Sequence, residues 1–412
     1  MRIKKKHITI VLAVILICAV SIAFKRVLKN PEKISVTVSA HKKIVEAGNP
    51  IVLDFKVNTE EIATELFLHT SYGSTTVQPD ISGGTRFTVP EFITNKKGTV
   101  SYTLFYEKGN LYQGELQIES NSSTKVYLES YIGPPSIIAG GIDYAMQVVV
   151  PTDSYDNPLP DSTKVAIGHQ FLDIEKKKEL YSKDMIAWQN IFSYNPSGRI
   201  LVFSKVNETI SKEFSIDVFP SLPQNFQIQS KRKHFYADGN QITQFITSII
   251  KDKYGNIISD GSLVKFVIKN ANGLLLHTQA STVNGQATAK MLHPDHEDIW
   301  QVKAYIHGMA ESNSITVEYT KVLEDFDTQF KKGNRYITVG PLVSFMGQLI
   351  PDGAMVILEI FKENKKIDTK VETSSSGVAR FFLQEGFYAS GKYDVIIKAL
   401  GVEKQYNDIE LQ

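Results

Sequence analysis

Two short clusters hold the side chains best suited to metal chemistry. The first places four hard oxygen donors within nine residues, at Asp153, Asp156, Asn157 and Asp161. Such oxygens bind Ca²⁺, which takes about six to eight of them. The spacing differs from that of an EF-hand loop, so a calcium site and an ordinary turn between strands are the two interpretations.

The second cluster is the run HPDHED at residues 293–298. His293 and His296 lie three residues apart and are interleaved with carboxylates, a set of ligands that suits a transition metal. The alternative is a solvated loop between two strands. The single cysteine, Cys18, excludes an intrachain disulfide and a zinc site built on several thiolates. No cofactor is predicted.

Motifs for catalysis are missing from the sequence. It contains no Gly-x-Ser-x-Gly elbow, no phosphate-binding glycine loop and no His-Glu-x-x-His. Adjacent acids such as Glu60 and Glu61 would point to opposite faces of a strand, which does not suit a general acid and base pair. We therefore expect a protein without enzymatic activity. A carbohydrate-active β-sandwich enzyme remains a remote alternative.

A third group of residues has the composition of a protein-binding patch. Three lysines, Lys176, Lys177 and Lys178, precede two aromatic residues, Trp188 and Phe192. Exposed aromatic side chains next to charge are typical of binding surfaces. The alternatives are a solvated charged face for the lysines and packing within their own domain for the rings.

Composition and charge narrow the function classes. The 412 residues are 42% apolar and 22% charged, which is typical of globular domains. The first 30 residues hold seven basic residues and no acid, which leaves 38 basic against 44 acidic residues in the rest. A mildly acidic body argues against nucleic acid as a partner.

The sequence at the N-terminus is typical of an export or anchor segment. Residues 8–24 are apolar apart from Thr9 and Ser21, and basic residues flank them on both sides. This length is near the lower limit for a membrane-spanning helix. We predict a single-pass anchor with the body outside the cytoplasm. Cleavage after Ser21-Ile22-Ala23 and lipid attachment at Cys18 are the alternatives.

Alternation of apolar and polar residues dominates the remainder of the chain. Residues 34–38, 100–104 and 315–319 show period 2, and turn-forming residues follow at short intervals. The only candidate for a helix or a long loop is the segment 173–188. The predicted fold class is all-β, with tandem Ig-like β-sandwich domains after one N-terminal hydrophobic anchor helix.

Internal repeats suggest the domain limits. The stretch DSYDNPLPDSTKVAI from Asp153 matches DKYGNIISDGSLVKF from Asp252, and a weaker copy surrounds Asp352. Asp161 precedes Gly198 by 37 residues, whereas Asp260 precedes Gly285 by 25, so the earlier copy carries about twelve extra residues, which contain the lysine-rich stretch. The predicted segments are a signal anchor (1–30), a divergent sandwich (31–122), an Ig-like domain with an insertion near 173–195 (123–222), a third Ig-like domain (223–320) and a fourth (321–412).

Turn chemistry accounts for the repeated residues of the third domain. Glycine and asparagine suit positive φ, and an aspartate side chain can accept hydrogen bonds from nearby backbone N–H groups. The residues predicted to form structural turns are Asp252, Gly255, Asn256, Asp260, Gly261 and Gly285.

The third repeat resembles a known family. The stretch beginning YADGNQITQFITSIIKDKYGNIISDGSLVKFVI, with TVNGQATAKML after it, is similar to the bacterial Ig-like repeat of the invasin/intimin type. The resemblance is clearest over residues 237–319 and weaker over 139–167 and 352–401. It implies a spacer or display module outside the cytoplasm and does not imply a particular receptor.

These observations predict a membrane-tethered extracytoplasmic Ig-like rod. It would be a structural component of an envelope assembly or a spacer presenting an interaction surface, with a cell-surface adhesin of the invasin/intimin type as the alternative. Its partner would be a protein, either an envelope component or a host or cell-surface receptor. The membrane contact would be residues 8–24, with the body in the periplasm or on the cell surface.

Overall fold

The computed structural model describes residues 9–19, 34–39, 41–59, 63–107 and 109–412. Helix is confined there to α1 (residues 9–19) and the single turn α2 (Glu91–Thr94). Neither described helix is long and apolar enough to cross a membrane. The ends of the predicted anchor, the cleavage motif Ser21-Ile22-Ala23 and the pair Glu60-Glu61 lie outside the described residues.

The chain divides into two compact units. The first comprises Met1–Gly133, Met146–Asn190 and Leu201–Phe214, and the second comprises Pro134–Ala145, Ile191–Ile200 and Ser215–Gln412. Both are built from mainly antiparallel sheets packed as Ig-like sandwiches, which confirms the predicted all-β class.

The first unit begins with a complete sandwich. A three-stranded sheet in the order β1-β3-β6 packs on a five-stranded sheet in the order β2-β8-β7-β4-β5. Inward residues of both sheets, among them Phe55, Phe87 and Leu104, form its buried core. The strands are β1 (Val36–Val38), β2 (Ile44–Glu46), β3 (Val52–Val57), β4 (Thr64–Thr70), β5 (Gly73–Val77), β6 (Arg86–Thr88), β7 (Gly98–Tyr106) and β8 (Gly109–Glu119).

The next nine strands form the second sandwich, which contributes to both units. They are β9 (Tyr127–Gly133), β10 (Ser136–Ile138), β11 (Tyr144–Thr152), β12 (Lys164–Phe171), β13 (Ile174–Tyr181), β14 (Ala187–Phe192), β15 (Gly198–Val206), β16 (Thr209–Ile210) and β17 (Phe214–Phe219). In the first unit β9 pairs with β11, β12 pairs with β13, and β15 pairs with β16. In the second unit β10 runs parallel to β17.

The third sandwich lies wholly in the second unit. Its sheets have the orders β18-β20-β23 and β19-β25-β24-β21-β22, and they enclose Trp300, Tyr319 and Phe266. The strands are β18 (Ile228–Lys231), β19 (Tyr236–Ala237), β20 (Ile242–Thr247), β21 (Leu263–Lys269), β22 (Leu275–Ser281), β23 (Thr288–Leu292), β24 (Asp298–Ile306) and β25 (Ala310–Lys321).

The fourth sandwich completes the second unit. Its sheets have the orders β26-β27-β30 and β29-β28-β31-β32, around a core that includes Phe381 and Ile397. The strands are β26 (Thr328–Lys331), β27 (Tyr336–Val339), β28 (Met355–Lys362), β29 (Lys365–Thr373), β30 (Ala379–Phe382), β31 (Gly391–Ala399) and β32 (Val402–Leu411).

The segment 173–188 is neither a helix nor a long loop, so that prediction was wrong. Residues 174–181 form β13, whose side chains are almost all exposed, and β14 begins at Ala187. Pairing with the buried strand β12 holds β13 in place. Alternation fails as a signal here because neither face of β13 is buried.

The predicted insertion of about twelve residues near 173–195 is also wrong. The turn closed by the bridge between Lys183 and Ile186 has the same form as the turn closed by Val283 and Gln286. Met185, with φ of 75°, therefore occupies the place of Gly285, with φ of 74°. Gly198 instead begins β15, so it was the wrong counterpart for Gly285.

Candidate functional site

Asp153 is the centre of a dense hydrogen-bonded turn in the first unit. Its Oδ1 accepts the backbone N–H groups of Tyr155 and Asn157, each at 2.9 Å. The side-chain Nδ2 of Asn157 donates to both carboxylate oxygens, at 3.2 and 3.0 Å. Asp153 is only 1% exposed, so these donors replace the water that the carboxylate gives up on folding.

This turn also binds the first sandwich. Asn121 N–H, just beyond β8, donates to Asp153 Oδ2 at 2.8 Å. Lys97 N–H donates to Asn157 Oδ1 at 2.8 Å, and Asn157 Nδ2 donates to the carbonyl of Asn95 at 2.9 Å. The aspartate and asparagine therefore hold one sandwich against the one before it in the chain.

Tyr155 adds an apolar contact at the same junction. Its ring packs against the core of the first sandwich, where Gly48 leaves room for it. A Cβ at Gly48 would lie 2.1 Å from the tyrosine Oη, so glycine is needed for this close approach. Lys96 Nζ donates to the carbonyl of Tyr155 at 2.8 Å.

The same turn recurs 99 residues later, within the second unit. Asp252 Oδ1 accepts the N–H groups of Tyr254 and Asn256, each at 2.9 Å, and Asn256 Nδ2 donates to Oδ2 at 2.8 Å. Asp252 Oδ2 also accepts the N–H of Ser221 at 2.8 Å. This pattern reproduces that of Asp153.

The contacts of this second copy with the preceding segments also correspond. Asn256 Nδ2 donates to the carbonyl of Asn195 and Ser197 N–H donates to Asn256 Oδ1, each at 2.8 Å. Tyr254 lies against Gly140, where a Cβ would approach its Oη to 2.7 Å. We call the set of aspartate, tyrosine and asparagine at each junction a latch.

Hydrogen bonding sets the protonation of both latch aspartates. Burial is the largest single influence and by itself would raise the pKa of Asp153 and Asp252. The donors from the asparagine side chain and from three backbone N–H groups together outweigh it. They hold both pKa values below the ordinary value of an aspartate, so the carboxylates are ionised at neutral pH.

The predicted calcium ligands are placed differently from one another. Asp153 and Asn157 are buried and bonded to each other, whereas Asp156 and Asp161 are exposed. A carboxylate that accepts five N–H donations is surrounded by positive ends of dipoles, an environment opposite to that of a cation site. Within the described residues, no three His, Cys, Asp or Glu side chains are grouped to hold a metal.

The two histidines of the second cluster are also apart in environment. His293 is buried, its Nδ1–H donates to the carbonyl of Tyr236 at 2.7 Å, and its ring meets Tyr319 edge-on. His296 is exposed and bonds to Asp295 at 2.7 Å. The two imidazoles therefore do not converge on one position where they could share a metal ion.

The residues of the predicted partner patch lie on two strands of different sheets. Lys176, Lys177 and Lys178 are exposed on β13, opposite β12. Trp188 and Phe192 lie on β14, and are 52% and 50% exposed. The Phe192 ring contacts Tyr144 at 5.3 Å between centroids.

Sequence reasoning missed two aromatic residues on the sheet that contains Trp188. Tyr127 and Tyr131 on β9 are 48% and 59% exposed, and β9 and β14 flank β11 in one sheet. Val148 of β11 pairs with Tyr131. The sequence signal that could have identified Tyr127 and Tyr131 is their spacing of four residues, because this spacing places both side chains on one face of a strand. We call Tyr127, Tyr131 and Trp188 the aromatic face.

The remaining predicted turn residues lie in turns. Gly255 and Gly261 have positive φ, and the N–H of Gly261 donates to the carbonyl of Thr282 at 2.9 Å. Asp260 is exposed beside it. A Cβ at Gly285 would lie 2.4 Å from a methyl group of Ile257, so that turn also needs glycine for space.

No protein-family model and no curated protein matches the sequence. Among solved structures, the chain is similar to invasin, a bacterial integrin-binding protein, with 12% identity, coverage of 92% of this chain and 79% of that one, and a TM-score of 0.44. It is also similar to the Escherichia coli adhesin FdeC, with 11% identity, 70% and 96% coverage and a TM-score of 0.42.

A third similar structure is the Yersinia pseudotuberculosis adhesin InvE, with 13% identity, 61% and 76% coverage and a TM-score of 0.26. At such scores the likeness concerns the β-sandwich fold and does not extend to a binding site. Structures of bacterial adhesins of the invasin type are thus among those that resemble this chain, as the repeat motif of residues 237–319 predicts.

Proposed function

We propose that this chain is a non-enzymatic extracytoplasmic protein whose tandem sandwiches display a protein-binding surface, in the manner of a bacterial surface adhesin. The observation that carries the proposal is the repeated latch. Two junctions use a buried aspartate and an asparagine that is buried in the first latch and partly buried in the second to fix one sandwich to the next. A spacer that holds consecutive sandwiches in one arrangement needs such junctions, whereas a set of freely linked domains does not.

The aromatic face is the binding surface that we propose. Its three rings are about half exposed on one sheet, and large exposed aromatic side chains are typical of the centres of protein interfaces. Lys125 lies 5.1 Å from the ring centre of Tyr127 and adds a charge at its margin. Residues 8–24 are the membrane tether in this proposal.

An envelope assembly is the second candidate function. The observation that favours it is the position of the aromatic face on a sandwich in the middle of the chain, with further sandwiches on both sides in sequence. Lateral contacts within a complex would use such a face. A receptor on another cell would more readily reach a terminal sandwich.

Protease treatment of intact cells distinguishes the two candidates. The full chain carries a C-terminal tag, and the tag is followed before and after permeabilisation of the outer membrane. Loss of the tag on intact cells supports the adhesin. Protection until permeabilisation places the body in the periplasm and supports the envelope assembly, and protection in both states contradicts an extracytoplasmic body.

The binding surface is tested by photo-cross-linking in cells. A photoreactive phenylalanine replaces Tyr131 or Trp188 in turn, and Leu274, exposed on another sandwich, serves as the matched control. We expect one discrete cross-linked product from both positions of the aromatic face and none from Leu274. Equal labelling at all three positions would remove the special role of the face.

A further inference from the structure

The fourth sandwich contains the same backbone turn as the two latches. Residues 343–353 follow residues 251–261 at an offset of 92, and the bridge between Val343 and Leu349 repeats that between Lys251 and Ile257. Ser344 N–H donates to the carbonyl of Gln348 at 2.7 Å, as Asp252 N–H donates to that of Asn256 at 2.9 Å. The main chain is thus shaped to carry a latch.

The side chains of this third turn are not those of a latch. Ser344 stands in place of Asp252, Met346 in place of Tyr254, and Gln348 in place of Asn256. A hydroxyl cannot accept the several N–H donations that a carboxylate accepts. The turn therefore keeps its internal geometry and loses the groups that reach the preceding sandwich.

The surroundings of these side chains agree with that loss. The Ser344 Oγ is buried and has no hydrogen-bond partner among the described residues. Met346 is 56% exposed, whereas Tyr155 and Tyr254 are partly buried against the preceding segments. Gln348 is exposed, unlike the asparagines at its position.

The contacts at this junction are a ring contact, a main-chain bridge between Leu323 and Ser344, and a close approach of Gly401 to His296. The rings of Tyr236 and Phe345 lie 5.2 Å apart, and Phe345 N–H donates to the carbonyl of Val322 at 3.3 Å. The ring contact is apolar and not directional, and none of these contacts uses a buried carboxylate or amide side chain of the turn, as the latches do.

We infer that the junction before the fourth sandwich is a hinge, because Ser344, Met346 and Gln348 replace the latch. The fourth sandwich then samples several orientations on the third, while the two latched junctions hold one arrangement each. This inference concerns motion within the chain and does not depend on which partner the protein binds.

Distance measurements between spin labels test the hinge in the full chain. The single native cysteine is first removed as Cys18→Ser. One pair of labels, at Gln279→Cys and Thr373→Cys, spans the hinge, and another, at Ser136→Cys and Gln279→Cys, spans the latched junction at Asp252. All three labelled positions are exposed. We expect the distance distribution across the hinge to be at least about twofold wider than that across the latch.

Two variants assign the difference to the latch residues. The triple variant Ser344→Asp, Met346→Tyr, Gln348→Asn supplies the missing groups and is expected to narrow the distribution across the hinge. Asn256→Ala removes the amide of the second latch and is expected to widen the distance distribution across the latched junction at Asp252. If the distance distributions across the hinge and across the latch are equally wide when residues 344, 346 and 348 are native, the hinge proposal is wrong. This outcome does not depend on whether the variants fold. A hinge distribution that the folded triple variant leaves unchanged would overturn its assignment to these residues.

Discussion

A latch aspartate stabilises several segments at once, because one ionised carboxylate accepts hydrogen bonds from several N–H donors. Asp153 accepts N–H groups from its own turn and from Asn121, which precedes it by 32 residues. Removing it leaves buried N–H groups without acceptors, and a buried donor without an acceptor costs more than the hydrogen bond contributes. The latch is therefore sensitive at the aspartate above all.

Asp153→Ala tests this sensitivity. We expect the free energy of unfolding of the cooperative unit that contains the first junction to fall by about 2–4 kcal/mol, because several buried donors lose a charged acceptor. Denaturant unfolding followed by circular dichroism measures it. Asp161→Ala, at an exposed carboxylate of the same loop, is the matched control and should change stability by less than about 0.5 kcal/mol. Equal losses in both variants would contradict the latch.

A buried histidine gives the third sandwich a dependence on pH. Burial is the main cause that lowers the pKa of His293, and the nearby charges of Arg232 and His234 act in the same direction. The hydrogen bond to Tyr236 and the charge of Asp238 oppose the shift without cancelling it. The second ring nitrogen, Nε2, is buried without a partner among the described residues. A proton there would be poorly solvated, so the folded state favours neutral imidazole.

We expect the third sandwich to lose stability on acidification. The unfolded histidine titrates near pH 6.5 and the folded one below it, so stability is fully present above about pH 6.5 and falls as the pH drops through that value. Fluorescence of the buried Trp300 reports this sandwich in a Trp188→Phe background.

The His293→Gln variant should abolish most of this dependence, since glutamine does not titrate. His296→Gln, at an exposed side chain, should keep it. A pH dependence that persists unchanged in His293→Gln would assign the effect to another group.

At the scale of elements, the lysine run has an explanation other than partner binding. Strand β13 lies at the edge of its sheet and is exposed on both faces. Edge strands present free backbone groups that can pair with another chain, and lysines are a common means of preventing this. Lys176, Lys177 and Lys178 stand in the middle of that edge.

Replacing the three lysines by threonine should therefore promote self-association. Threonine favours strands and carries no charge, so β13 would become an open edge for pairing between molecules. Sedimentation velocity over a range of concentrations measures the effect. Replacement of the same lysines by arginine keeps the charge and should leave the sedimentation of the protein unchanged. If the threonine variant behaves like the arginine variant, the run has no protective role.

At the scale of the whole molecule, the difference between latch and hinge predicts how the sandwiches unfold. Sandwiches that share buried hydrogen bonds unfold together, because opening one exposes groups of the other. The fourth sandwich has its own core and lacks a latch, so we expect it to unfold in a separate transition.

Differential scanning calorimetry of the full chain checks this expectation. The native sequence should show a separate endotherm for the fourth sandwich. Restoring the latch with Ser344→Asp, Met346→Tyr and Gln348→Asn should bring that endotherm closer to the transition of the third sandwich. The single variant Gln348→Asn tests the shorter amide side chain alone and should have a smaller effect. A single transition in the native sequence would contradict independent unfolding.

The sequence predicted the fold class because strand patterning is local. Side chains two residues apart share a face of a strand. Alternation of apolar and polar residues in segments such as 100–104 therefore predicts a half-buried strand even when the neighbouring strands are unknown. It failed for β13, where no face is buried. The repeat alignment failed at Met185, because a methionine with positive φ at a glycine position cannot be recognised from its type.

The sequence by itself determined that this is a chain of β-sandwiches with recurring Asp-x-Tyr and Asn turns. Only the tertiary structure decided what those turns do. Their partners, Asn121 for Asp153 and Asn195 for Asn256, are 32 and 61 residues away along the chain. Contacts at such separations form only when the sandwiches have folded and met, so no local pattern records them.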